Sequence, residues 1–278
     1  MHPDAFEILS GFLRRRSGLS VTQQRSRLIE NRLKPIATRR GFKDVGDLAR
    51  ALAQPDEELG REVADAMTTY DTSFFRDAAL FHALRTQILP ALTAARETER
   101  TIRIWCAACS TGEEAYSIAM TTDGSGELAS FAVEILATDV SATAVERASA
   151  GIYTEYEVMR GLPVRMLGKY FTKDGEDWRI SRPVRDRITF RVFNLIDPFQ
   201  ALGQFDIVFC RNVLIYFDQA TKTDVLARLS RVLAPDGFLV LGEAETVLGL
   251  TKSLAPLPDT RGVFIHSGKP APRLTALG

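Results

Sequence analysis

The stretch Ile102-Arg-Ile-Trp-Cys106-Ala-Ala-Cys109-Ser-Thr-Gly112-Glu-Glu-Ala-Tyr116 contains the change of period on which the fold turns. Ile102 to Cys106 is a short apolar run of the kind a buried strand makes. It passes through a turn of small residues into Glu113 to Thr122, which reads as helix. Further runs rich in Ile, Val, Leu and Phe follow at Val133 to Ala137, Phe205 to Phe209 and Phe238 to Leu241. Helical stretches, Ala142 to Ala150 and Thr221 to Leu233, lie among them. Strands alternating with helices predict βαβ units, hence a doubly wound, mostly parallel α/β sheet covered on both faces. Ligands of such sheets bind beyond the carboxyl ends of the strands.

Upstream of this pattern the signals are helical. Asp4 and Glu7 read as a capping box, Phe6, Leu9 and Leu13 recur at helical spacing, and Gly18 ends the element. A second helix fits Leu28, Ile29, Leu33 and Ile36, with Pro35 expected to kink or shorten it. Val45 to Leu52 and Glu57 to Met67 complete a small all-α domain over residues 1–70. A linker helix is expected over 71–90 and the α/β domain over 91–268, with a disordered tail over 269–278. Within the α/β part, Trp178 to Ile180 and Ile188 to Val192 read as a small antiparallel β insert, spanning about 169–192, around the turn Lys173-Asp-Gly175.

Of the 278 residues, 45 % are apolar and 25 % charged, which excludes disordered, collagen-like and disulfide-scaffold classes. Thirty-five basic residues balance 35 acidic ones, against a protein devoted to a polyanion. The charges are nevertheless segregated. Ten basic residues and a single acid, Glu30, fall between Arg14 and Lys43, whereas eight acids face Arg50 and Arg61 between Asp44 and Asp71. The basic run is either a solvated surface or a docking face for an acidic partner. No apolar run approaches the roughly 20 residues that span a bilayer, and the start Met-His-Pro-Asp-Ala-Phe-Glu has no signal-peptide pattern, so a cytoplasmic protein without membrane insertion is expected.

The small residues after the first strand let a ligand approach the backbone at a helix N-terminus. Glu113 and Glu114 sit where a phosphate would bind and would repel it. No G-x-G-x-x-G or G-x-x-x-x-G-K-[ST] is present. The second strand ends in Ala137-Thr-Asp139, 27 residues after Gly112, where a carboxylate holds ribose hydroxyls. A nucleoside without phosphate on this fold points to S-adenosyl-L-methionine. Cys106-x-x-Cys109 lacks two further ligands at zinc spacing, so no metal is expected. Arg211 and Asn212 follow directly on the third strand, where polar groups suit a ligand better than packing, and Tyr216 is either core or substrate entrance.

Together these segments resemble the chemotaxis-receptor glutamate methyltransferases of the CheR type over nearly the whole chain. The resemblance rests on Thr72-Ser-Phe-Phe-Arg76, the Cys106 to Tyr116 loop, Ala137-Thr-Asp139, Asn194-Leu195, Cys210-Arg-Asn-Val-Leu-Ile-Tyr-Phe-Asp218 and Pro235-Asp-Gly-Phe-Leu-Val-Leu-Gly-Glu243. It implies that Thr72 and Arg76 touch the cofactor from the linker side. Ala107 and Glu113 would line its methionine and adenosine region, Asp139 the ribose, Asn194 and Leu195 the adenine, and Arg211 and Asn212 the methionine end. Where the family usually has Asn two residues before the threonine, this chain has Tyr70.

The implied reaction is methyl transfer from S-adenosyl-L-methionine to glutamate carboxylates of chemoreceptors, with S-adenosyl-L-homocysteine as product. Arg76 and Tyr216 are then the candidates for orienting the substrate carboxylate. The expected partners are the cytoplasmic helices of the receptors, met by the basic helical domain of a monomeric enzyme. Two rivals are a nucleic-acid methyltransferase, for which the Asn/Asp-Pro-Pro-Tyr and Pro-Cys motifs are missing, and a cofactor-binding module without turnover.

Overall fold

The structure, a computed structural model, describes residues 1–268; the tail expected over 269–278 lies outside the described residues.

Four helices come first: α1 (Pro3–Ser17), α2 (Ser26–Arg39), α3 (Val45–Ala51) and α4 (Glu57–Met67). Helix α1 begins one residue before Asp4, because Pro3 is preset for the first helical position and His2 Nδ1 accepts the Asp4 N–H at 3.4 Å. The Asp4–Glu7 box therefore does not start it. Gly18, at φ 74°, ends it. Helix α2 runs through Pro35 unbroken. Pro35 and Asn31, whose carbonyl loses its helical partner at the proline, are both exposed, so the lost bond falls on the solvent face of the helix. Asp44 and Asp56 cap α3 and α4, each accepting a backbone N–H at 2.9 Å. The four helices close on Leu9, Leu13, Ile29, Leu33, Leu48 and Val63, all fully buried.

The segregated charges meet in the folded chain. Arg16 pairs with Glu57 at 2.8 Å, Arg39 with Glu62 at 2.8 Å, and Arg40 with Glu62 at 2.7 Å and Glu58 at 3.1 Å. Arg32 donates to the Met67 and Thr68 carbonyls, at 3.0 and 3.1 Å, at the C-terminus of α4. Basic α2 thus lies along acidic α4.

After an irregular crossing segment, Asp77 caps a continuous helical rod: α5 (Ala78–Ala83), a π turn over Leu84–Ile88, and α6 (Leu89–Ala95). The linker helix therefore occupies 78–95 rather than 71–90. Pro90 has no N–H to give the turn behind it, and the widened turn accommodates the loss.

The main sheet contains β1 (Thr101–Ala107), β2 (Ala132–Asp139), β6 (Ile188–Val192), β7 (Phe205–Cys210), β8 (Leu233–Leu241), β9 (Leu254–Pro256) and β10 (Val263–His266). Its order is β6-β2-β1-β7-β8-β10-β9, with β10 alone antiparallel to β8 and to β9. Helices α7 (Glu113–Asp123), α8 (Ala142–Ala150) and α12 (Gln219–Val232) cover the sheet. Buried side chains alternate across it: Ile104, Ile207 and Phe209 face one core, Trp105, Val208 and Leu239 the other. The chain builds outward from β1 to β6, then returns to lay β7 on the other side of β1. That reversal places the ligand crevice between the ends of β1 and β7.

The antiparallel insert needs correction. Its sheet is β3-β5-β4, formed by β3 (Ile152–Tyr153), β4 (Phe171–Asp174) and β5 (Asp177–Ile180). Ile188–Val192 leaves the insert and pairs parallel with β2, Ile188 beside Ile135 and Val192 beside Asp139. Short helices α9 (Glu155–Met159), α10 (Val164–Tyr170) and α11 (Arg182–Arg185) fill the connections. Among the described residues no helix is long and apolar enough to cross a membrane.

Candidate cofactor and substrate site

Beyond the carboxyl ends of β1, β2 and β7 lies a cavity enclosing about 1000 Å³ of space open to solvent. Its floor is made by turns that no ordinary strand end would make. Ala108 (φ 62°) and Ser110 (φ 51°) after β1, and Asn212 (φ 57°) after β7, are all left-handed. Such backbone costs energy and is held only by surrounding contacts. The contacts are identifiable. The Cys109 N–H donates to the Thr138 carbonyl at 2.8 Å, the Ser110 N–H to Asp139 Oδ2 at 2.8 Å, and the Asn212 N–H to Glu245 Oε2 at 2.8 Å. Glu245 also accepts the Gly242 N–H at 2.7 Å, so this carboxylate fixes the ends of β7 and β8 together.

Asp139 stands in the cavity wall, 5 % exposed, and accepts the Ser141 N–H at 3.0 Å on its other oxygen. Burial pushes its pKa up, while the Ser141 and Ser110 N–H groups pull it back. Arg211, also buried, lines the same cavity and donates to Glu114 Oε2 at 2.6 Å and to the Arg76 carbonyl at 3.2 Å. Thr72, Arg76, Asn194, Leu195, Asn212 and Tyr216 line the cavity too.

Two residues expected here do not reach it. Ala107 is the last residue of β1 and is packed into the core; Ala108, one residue on, lines the cavity. Glu113 turns inward, 3 % exposed, and accepts the Thr111 hydroxyl at 2.8 Å. Its pKa is raised by burial. Glu114, a further 100° round the helix, faces the cavity instead. Asn194 lines the wall with its amide already engaged: Nδ2 donates to the Arg16 carbonyl at 2.6 Å.

Sequence reasoning missed the roof. Ser17, Leu19, Met67, Thr68 and Thr69 of the helical domain line the cavity from above. Nothing in their spacing signals a ligand, because they become neighbours only when the two domains pack. Glu114 and Glu245 had a legible signal, each being an acid just past a strand end on a small-residue turn.

Two polar atoms in the cavity wall, Ser110 Oγ and Arg211 Nε, are buried without a hydrogen-bond partner. Buried polar groups are normally satisfied, so both await a ligand with acceptor oxygens. Nearby carboxylates suit hydroxyls and a cation. A zwitterionic amino acid joined through a sulfonium to a nucleoside offers all of these, and the site fits it. The thiols of Cys106, Cys109 and Cys210 are all pushed up by burial, and Cys106 donates to Glu114 at 3.4 Å. Among the described residues no group of His, Cys, Asp and Glu is placed to hold a metal ion.

Comparison with known proteins agrees with this cofactor. Residues 4–68 match the family described as CheR methyltransferase, all-alpha domain, and residues 70–263 match the CheR methyltransferase, SAM binding domain. The chemotaxis protein methyltransferase Cher2 of Pseudomonas putida is 38 % identical over 269 residues, covering 94 % of this chain and 97 % of that one. Chemotaxis protein methyltransferase 1 of Pseudomonas aeruginosa is also 38 % identical, over 94 % of this chain and 97 % of its own. The probable biofilm formation methyltransferase WspC of the same organism is 33 % identical over 97 % of this chain, which spans 63 % of that protein. With both of its halves matched in order and a cavity suited to the cofactor that the second half is named for, the chain belongs to the CheR family of chemotaxis methyltransferases, enzymes that use S-adenosylmethionine.

Proposed function

We propose that this enzyme methylates glutamate side chains of chemoreceptor cytoplasmic helices, giving glutamate methyl esters and S-adenosylhomocysteine. The observation that supports the reading is that Arg76 and Tyr216 line the same cavity as Asp139, Arg211 and Asn212. Arg76 is 39 % exposed and spends one nitrogen on the Asp71 carbonyl at 2.9 Å, which leaves part of its fork for a carboxylate entering from solvent.

The bound cofactor supplies an electrophilic methyl group. A glutamate carboxylate, with an ordinary pKa of about 4.3, is already ionised at neutral pH and needs no base. None of the three histidines lines the cavity. Arg76 and Tyr216 orient the carboxylate, and a guanidinium held too close would quieten it, so their work is positioning. Alignment of reacting atoms is worth roughly 7 to 11 kcal/mol. The helical-domain roof keeps water from the attacking oxygen.

In this reading Asp139 holds the ribose, Asn194 and Leu195 border the adenine, Arg211 and Asn212 border the methionine end, and Thr72 and Arg76 touch the cofactor from the linker side. The receptor helices meet the helical domain through Arg25, Arg27 and Lys34, exposed residues without an ion pair among the described residues, and the enzyme acts in the cytoplasm as a monomer.

The test is incubation with methyl-labelled cofactor and receptor cytoplasmic fragments. Label on protein that alkali releases as methanol is expected; alkali-stable label, label on nucleic acid, or none overturns the proposal. Asp139→Ala should weaken S-adenosylhomocysteine binding at least about tenfold, since hydrogen bonds to a charged group are worth roughly 1.5 to 3 kcal/mol each.

A further inference from the structure

We infer that Tyr70 is a positioning residue for the cofactor, acting on Asp139 through Ser141; the inference rests on Asp139 being the ribose carboxylate. Tyr70 is not itself in the cavity wall. It lies on the segment between α4 and the cavity-lining Thr72, and its hydroxyl shares a hydrogen bond of 2.9 Å with Ser141 Oγ, across 71 residues of chain. Burial raises its pKa, so the phenol stays protonated at neutral pH.

Ser141 is where β2 becomes α8, and each of its polar groups at that junction is committed. Its N–H donates to Asp139 Oδ1 at 3.0 Å, and its Oγ accepts the Ala144 N–H at 3.1 Å as the cap of α8. Asp139 is held on its other oxygen by the Ser110 N–H. The rotation of that carboxylate is therefore set by two backbone N–H groups, and one of them belongs to the residue that Tyr70 grips from outside. Ser141 is fully buried, so a shift of Tyr70 is passed to it rather than absorbed by solvent.

The approach of Tyr70 is itself fixed from the helical domain. Arg32 bonds the Met67 and Thr68 carbonyls and reaches the Thr69 hydroxyl at 3.3 Å, and the Thr143 hydroxyl donates to Asp65 at 2.7 Å alongside. A chain of bonded groups thus runs from α2, through the end of α4, to Tyr70, Ser141 and the ribose carboxylate. Asparagine, shorter than tyrosine, would not span the same gap from the same backbone, so the connection depends on the hydroxyl at position 70.

The experiment is calorimetry with S-adenosylhomocysteine on the full chain. Tyr70→Phe, which removes only the hydroxyl, should raise Kd about three- to tenfold as the Asp139 carboxylate loses part of its fixed orientation. Its turnover at saturating cofactor and its KM for receptor should stay at wild-type values, a split that a general loosening of the fold would not give. In a Ser141→Ala background, the same Tyr70→Phe change should have no further effect on Kd. Binding by Tyr70→Phe equal to wild type overturns the inference, as does an undiminished loss in the Ser141→Ala background. Asp139→Asn separates the two levels: unchanged binding removes the ribose reading itself, whereas weakened binding beside an unaffected Tyr70→Phe removes only the role of Tyr70.

Discussion

The side-chain amide of Asn194 donates to the carbonyl oxygen of Arg16 at 2.6 Å, joining the segment after β6 to the last turn of α1. That oxygen is one of the carbonyls a helix C-terminus leaves without a partner. The bond therefore completes α1 and docks the helical domain over the cavity at once. The Ser20 N–H donates to the Tyr216 carbonyl at 2.8 Å and Arg14 pairs with Asp218 at 2.8 Å, so the chain from 14 to 20 is clasped along the rim.

Gly18 lies inside that clasp at φ 74°, and a Cβ there would stand 2.8 Å from Ile196 Cγ2 and 2.9 Å from Phe217 Cε1. Gly18→Ala should destabilise the protein by about 1 to 2 kcal/mol through the left-handed backbone alone, and should loosen the roof. Thermal unfolding and S-adenosylhomocysteine titration check this together. A variant with wild-type melting and wild-type affinity would show that the close approach is not sustained in solution.

Glu113 offers a pH signature. Burial raises its pKa, so the folded protein holds this proton more tightly than the unfolded chain. Its ionisation therefore costs stability as pH rises through the folded pKa, and the cost disappears as pH falls below the ordinary value of 4.5. Glu113→Gln, which keeps an acceptor for Thr111, should be more stable than wild type at pH 7, with the difference closing below that value. Urea unfolding from pH 4 to pH 8 measures it; a difference independent of pH would remove the burial argument.

At the opposite end of the strands Arg96 donates to Asp206 at 2.9 Å and to both oxygens of Asp236, at 2.8 and 2.6 Å. Arg96→Met leaves the buried Asp206 carboxylate with only the Arg103 N–H, and should cost about 3 kcal/mol at neutral pH. Arg96 also holds Asp236 below the usual carboxylate value of 3.8. That contribution is present above pH 3.8 and is lost as pH falls through the folded value, so the gap to wild type should narrow in acid. Cofactor affinity, measured by calorimetry on the folded variant, should not change.

Charge reversal separates free arginines from occupied ones. Arg32 and Arg39 already serve the end of α4 and Glu62. Reversing them should lower the melting temperature. Reversal of Arg25, Arg27 and Lys34 should instead raise the KM for receptor several-fold, with cofactor affinity kept and the effect shrinking as salt screens exposed charges over about 8 Å. Steady-state kinetics at two salt concentrations decide it; equal KM values would return this face to ordinary solvated surface.

The parallel strands, their helices and Asp139 were legible because they depend on local pattern: a buried strand must be apolar along its length, a helix must repeat its apolar face, and a carboxylate directly after a strand faces the crevice. Gly18 at the end of α1 is local in the same sense. What the tertiary structure alone decided was pairing and phase. Ile188–Val192 has the pattern of a strand, and no pattern states whether its neighbour is β5 or, 53 residues earlier in the chain by the Ile135–Ile188 pairing, β2. Glu113 and Glu114 look alike in sequence, and one step of helical rotation sends the first into the core and the second to the cavity. The basic run gave no sign of how much of it would be consumed by α4, since ion pairs such as Arg39–Glu62 form only when helices distant in sequence are brought side by side. The roof of the cavity has the same origin: Ser17, Leu19 and Thr68 come to line it through the packing of one domain on another, a relation between surfaces that no periodicity along a single chain records.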